Sequence, residues 1–159
     1  MTRYWMSKDS DDLEQSILHF TEAIFLPLSR HIPILNVVQI FFFIAGALIN
    51  RAEEFGHPED VTRSIIYLRY LHEQSRQSPE IFEVPPNDIT ICLVCALGIQ
   101  VEMELGNVRQ DIEEMAVLCH ELLKSDMSTT SVTGLVLLTA KPFIFALFAV
   151  WYQKKIGKI

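Results

Sequence analysis

Apolar residues recur three and four positions apart in three stretches of the chain: Leu13, Ile17, Phe20 and Ile24; Val61, Ile65, Leu68 and Leu71; and Ile112, Met115, Cys119 and Leu122. That spacing lines one face of an α-helix, whereas a half-buried strand alternates at every second residue. The openings of the three stretches agree. Asp11 with Glu14, and Asn107 with Gln110, have the spacing of a capping box, in which side chains satisfy the unpaired backbone N–H groups of the first turn. Pro58 stands where a first-turn proline is tolerated. Asp11, Asp12, Glu14, Glu59 and Asp60 place negative charge at the positive end of a helix, and read as solvated first turns.

More apolar helices lie between these three. After Pro33, Ile34 to Phe55 reads as a long helix that carries Val37, Val38, Ile40 to Ile44 and Leu48 before turning polar at Asn50 to Glu54. After Pro85-Pro86, Asn87 is placed to cap a helix through Leu93, Leu97, Val101 and Leu105, with Gly106 ending it. The order is helix B, a long helix A, B, a linker over Ser75 to Pro86, A, B. The pattern therefore predicts an all-α chain of at least five helices, with Phe20, Leu48, Phe55, Ile65, Leu68, Met115 and Leu122 in the core.

Residues 2–23 and 50–71 are related by an ungapped offset of 48. Arg3 falls on Arg51, Asp12-Leu13 on Asp60-Val61, Ser16-Ile17 on Ser64-Ile65, and His19-Phe20 on Tyr67-Leu68. A weaker third copy sets Asn107 to Ile112 against Asp12 to Ile17. A fixed period of this size marks stacked supersecondary units, each unable to bury its apolar face alone. Arg3 to Ser7 matches only the tail of a long A helix, so the chain is expected to begin inside a repeat and to be a fragment of a longer array. Uncapped array ends would expose apolar surface and drive self-association.

Helix A closing on Arg51 and Phe55, the Gly56-His57-Pro58-Glu59-Asp60 turn, and the small residue Ser64 among apolar neighbours on helix B resemble tetratricopeptide-type repeats. Leu48, Ala52, Phe55, Ser64, Leu68 and Leu71 fall at spacings similar to that family's packing positions. DLEQSILHFTEAIFLP and PEDVTRSIIYLRYL resemble fungal tetratricopeptide-like proteins, whose longer members carry a caspase-like CHAT protease domain downstream. No catalytic His or Cys of such a domain carries over. The resemblance implies antiparallel helix hairpins stacked as an α-solenoid over residues 1–131. It further implies a non-catalytic scaffold that binds a protein or peptide partner through the curved face of its A helices, with Asn50, Glu53, Gln100 and Glu104 as candidate polar contacts.

Charge narrows the partners. Residues 1–131 hold 9 Lys and Arg against all 20 Asp and Glu, while residues 132–159 hold Lys141, Lys154, Lys155 and Lys158 and no acid. An acidic body is unsuited to nucleic acid, whose phosphates are neutralised by clustered Lys and Arg. Three cysteines without a signal peptide fit a reducing cytosol.

Cys92 and Cys95 form a C-x-x-C, and Cys119-His120 could supply two further zinc ligands. Cys92 and Cys95 instead sit mid-helix in an apolar run and Cys119 at a core position, so all three read as small hydrophobes and no metal or cofactor is expected. His19, His31, His57, His72 and His120 have no Gly-x-Ser-x-Gly, His-Glu-x-x-His or phosphate-cradling glycine loop beside them. His19, in the repeat slot of Tyr67, reads as a residue beside the core. The chain is not expected to be an enzyme.

Val132 to Tyr152 is nearly all apolar, with Lys141 its one charge and Trp151-Tyr152 placed like an interfacial belt. Its 21 residues could span a bilayer, which takes ~20. Lys141-Pro142 splits it, and a central Lys costs ~2.5–3.5 kcal/mol on insertion. Residues 132–159 therefore read as a last helix packing on the final repeat or the end of a truncated product. The alternative is a tail anchor holding an acidic helical body in the cytosol.

Overall fold

The computed structural model describes residues 10–25, 34–126, 128, 130 and 131, with the side chains of 10, 20, 23–25, 34–36 and 81 left aside. Among these residues there are five α-helices and one 3-10 turn, and no strand. The helices are α1 (Ser10–Phe25), α2 (Ile34–Phe55), α3 (Pro58–Gln77), α4 (Pro86–Glu102) and α5 (Val108–Lys124), with the 3-10 turn at Pro79–Ile81. The chain divides into two compact units, Met1–Val84 and Pro85–Ile159. The division falls inside the Pro- and Ser-rich stretch.

In the first unit α2 is the central helix, with α1 and α3 both packed on it. Leu13 and Ile17 of α1 enclose Ile44, Ala47 and Leu48 of α2, and Ile40 and Tyr67 pack against the same cluster. On α3, Val61, Leu68 and Leu71 are fully buried and Ile65 nearly so. Several pairs related by the 48-residue offset agree in burial: Leu13 and Val61 are buried, as are Ile17 and Ile65, and Leu18 and Ile66 are 53% and 58% exposed. Others differ, since Tyr67 packs against the core where His19 is exposed, and Asp60 is buried where Asp12 is half-buried. Phe20, aligned with Leu68, lies outside the described side chains.

The second unit pairs α4 with α5. Its buried stripe on α5 is Asp111, Met115, Leu118 and Leu122. This stripe is rotated from the expected one, since Ile112 and Cys119 are only half-buried and Leu118 takes the core position that the apolar periodicity assigned to Cys119. The rotation follows from Asp111, which turns into the hairpin to meet Gln100.

Other positions also differ from the expectation. Phe55 is 37% exposed rather than core. It is the last residue of α2, and the chain turns away at Gly56 with φ 73°, so no further turn of the helix flanks its ring. His19 is exposed, 3.7 Å from Glu22. Asp11 lies within the first turn of a helix that already begins at Ser10. Asn87 does not cap α4, which begins at Pro86. Its amide reaches the Asp126 carbonyl at 3.0 Å and Thr130 Oγ1 at 3.1 Å instead. By contrast α3 begins at Pro58, and Asn107 Oδ1 caps α5 by accepting from the Gln110 N–H at 3.3 Å.

Among the described residues no helix is long and apolar enough to cross a membrane. The expectations for Arg3 to Ser7 and for Val132 to Tyr152 fall outside the described residues.

Two glycines give opposite expectations for one substitution. Gly46 lies inside α2, and a Cβ added there meets nothing within 4 Å. Gly46→Ala should therefore stabilise by about 0.5–1 kcal/mol, because alanine loses less backbone entropy in a helix. Gly106 has φ 69°, and its added Cβ would lie 3.0 Å from Gln100 Nε2. Gly106→Ala should cost about 1–2 kcal/mol from the left-handed backbone alone. Urea titration of the two variants checks both signs.

Candidate partner-binding face

Phe43, Gly46, Asn50 and Glu53 are spaced three, four and three along α2, which sets them on one face of the helix, away from Leu48. Phe43 is 45% exposed, Asn50 half-buried and Glu53 exposed. With open space over Gly46, the face has an aromatic ring, then bare backbone, then an amide and a carboxylate. The ring of Phe43 rests edge-on to Phe42, with centroids 6.3 Å apart. Phe41 lies 5.2 Å from Tyr67 and 6.0 Å from Tyr70 of α3, holding the α2–α3 seam with aromatic contacts.

Arg51 fixes the other end of α2. Its Nε and Nη2 donate to Asp60 Oδ2 and Oδ1 at 2.5 and 2.9 Å, and its Nη1 donates to Glu14 at 3.5 Å. One guanidinium thereby joins α1, α2 and α3. Asp60 is fully buried, and Arg63 lies 3.6 Å from its second oxygen. The hydrogen bond to Asp60 raises the Arg51 pKa against the opposing effect of burial, so the guanidinium stays charged.

The second unit has a neutral-to-charged counterpart at its own hairpin. Gln100 Nε2 donates to Asp111 Oδ2 at 2.9 Å, with both residues buried. Gly106 approaches closely enough to wall in that amide. Of the four residues the repeat resemblance singles out, the structure brings Asn50 and Glu53 together on α2. Gln100 lies in the hairpin interior, and Glu104 stands exposed in the α4–α5 turn with φ 54°. Apolar periodicity gave no sign of Phe43 or Gly46 as part of a face. Asp60, Asp88 and Asp111 also escaped it as buried acids, because a carboxylate early in a helix is ordinarily a solvated one. An Arg nine residues before Asp60, across a Gly-His-Pro turn, was the one available signal.

The cysteines are packing residues. Cys95 and Ile91 form a cluster with Leu122 of α5, and no disulfide joins the three cysteines. Burial, with Cys95 as a lesser cause, pushes the Cys119 thiol up to about 12, and burial raises that of Cys92 as well. Among the described residues no group of three or more His, Cys, Asp or Glu side chains is placed to hold a metal ion. Since the thiolate is the reactive form, Ellman's reagent at pH 8 should label none of the three cysteines of the folded chain within minutes, and all three after denaturation. Rapid labelling of native Cys92 or Cys119 would contradict this placement.

Comparison of the chain with protein-family models, with curated proteins and with solved structures finds no match in any of the three.

Proposed function

We propose that this chain is a non-catalytic, tetratricopeptide-like scaffold that binds a protein or peptide partner along the outward face of α2. The observation that carries the reading is the Phe43, Gly46, Asn50, Glu53 face. An exposed ring supplies apolar contact, and the glycine lets a partner's backbone come close. The Asn50 amide can both donate to and accept from a peptide bond. Glu53, on a body with 20 acids in residues 1–131, favours a basic segment. The shared burial of Leu13 with Val61 and of Ile17 with Ile65 supports repeat organisation, and three unbridged cysteines suit a reducing cytosol.

Peptides selected from a displayed random library against the full chain provide the test. Gly46→Trp fills the notch while leaving the buried side of α2 intact, and Glu53→Lys reverses the charge. Selected peptides should be enriched in Lys and Arg, and each variant should weaken their binding by at least about tenfold, or 1.4 kcal/mol. Peptides that bind both variants as tightly as the parent would remove this face from consideration.

A further inference from the structure

We propose that the outer face of α1 in one copy of this chain docks on the outer face of α3 in a second copy, joining an acidic stripe to a basic, aromatic one. On α1, Asp11, Glu14, Leu18 and Glu22 are spaced three, four and four, share one side of the helix and are all exposed. Leu18 is the apolar centre of that stripe, and α1 carries no Lys or Arg. On α3, Arg63, Ile66, Arg69 and Tyr70 stand three, three and four apart from their neighbours on one side, again all exposed, with Tyr70 at 53%. Between Asp60, which is buried against Arg51, and Glu73, α3 carries no acid. The two faces occupy matching slots of the 48-residue correspondence: Leu18 falls on Ile66, Gln15 on Arg63, Thr21 on Arg69 and Glu22 on Tyr70. The apolar centre is kept while the rim around it changes from acidic to basic. Such faces repel their own kind and attract each other.

An apolar centre ringed by charge, with Tyr and Arg among its members, is the composition of a protein–protein contact. Phe41 already braces the Tyr70 ring, with centroids 6.0 Å apart, so less side-chain freedom is lost on docking. Glu14 lies 3.5 Å from Arg51 and Arg63 lies 3.6 Å from Asp60, yet their side chains remain 59% and 48% exposed and can meet a second partner. Every copy holds one face of each kind, so the contact repeats from copy to copy, growing into a chain of copies or closing into a ring. It uses none of Phe43, Gly46, Asn50 and Glu53, so a peptide on α2 and a second copy draw on different side chains.

Sedimentation equilibrium of the full chain tests the proposal. At about 100 μM the parent should show an average mass above that of a dimer. Leu18→Asp and Ile66→Asp each place a carboxylate at the centre of one stripe, and each should weaken association at least tenfold with the helical circular dichroism unchanged. An equimolar mixture of the two should form a dimer and nothing larger, because the first keeps its α3 face and the second its α1 face. Glu22→Arg or Arg69→Glu alone should weaken association, and the two together in one chain should recover it. A parent that stays monomeric at that concentration overturns the proposal, whether or not any variant folds. So does a mixture that remains monomeric, or either Asp variant associating alone as tightly as the parent, which would place the contact on another surface.

Discussion

Arg51→Ala should lower the stability of the first unit by about 3–5 kcal/mol, the loss typical when one partner of a buried ion pair is removed. Asp60 has no exposed surface, so without the guanidinium its carboxylate stays desolvated beside only Arg63, at 3.6 Å. The loss is larger than that of an exposed ion pair, about 0–1 kcal/mol. Arg109 with Glu113 at 3.3 Å is such a pair, with the Arg side chain 86% exposed. Arg51→Lys should recover only part of the loss, since an ammonium cannot engage both Asp60 oxygens as the guanidinium does. The pair Arg51→Met with Asp60→Leu should be far milder than either single change, because it leaves no orphaned charge. Equilibrium urea unfolding of Arg51→Ala, Arg51→Lys, the double variant and its two single changes decides the matter. A loss under about 1 kcal/mol for Arg51→Ala would mean that the guanidinium contributes no more than a surface ion pair does.

Leu68→Ala should cost about 2–5 kcal/mol. Leu68 is fully buried in the middle of α3, in the stripe that also holds Val61, Ser64, Ile65, Leu71 and Ser75. Removing its isobutyl group loses the transfer energy of the deleted atoms and leaves a cavity that neighbouring helices can only partly close. Ile66, two residues earlier and 58% exposed, is the internal control. Ile66→Ala should change stability by no more than about 0.5 kcal/mol. Equal losses at the two positions would place the buried face of α3 elsewhere.

How far the fold was legible in the sequence depended on the kind of interaction. Helix identity and extent came through for the apolar elements: Ile34 to Phe55 spans α2 end to end, because Pro33 and Gly56 bound an uninterrupted run. The 48-residue correspondence matched residues that are alike in burial, Leu13 with Val61 and Ile17 with Ile65. Periodicity was less informative where a polar group competes for the interior. Asp111 is buried because Gln100 satisfies it, and this turns α5 far enough to put Leu118 rather than Cys119 inside. Asn87 has the chemistry of a cap, but it bonds to residues 39 and 43 positions onward, a partnership that no local pattern encodes. Of the candidate contacts, Asn50 and Glu53 follow from helical spacing alone, while the interior place of Gln100 required the turn geometry around Gly106.

The polar ties of this chain differ in how much chain each must gather. Arg51 to Asp60 closes a loop of nine residues and Gln100 to Asp111 one of eleven, whereas Asn87 to Thr130 and Asp88 to Ser131 each close 43. Loop-closure entropy rises with the logarithm of loop length, and a ten-residue loop closes in about 10–100 ns. The two hairpin turns can therefore form on the timescale of helix growth itself, within a short span of newly made chain. The ties to Thr130 and Ser131 must wait until α4 and α5 are both in place. Assembly thus has a built-in order, local hairpins first and the clasp on the first turn of α4 last.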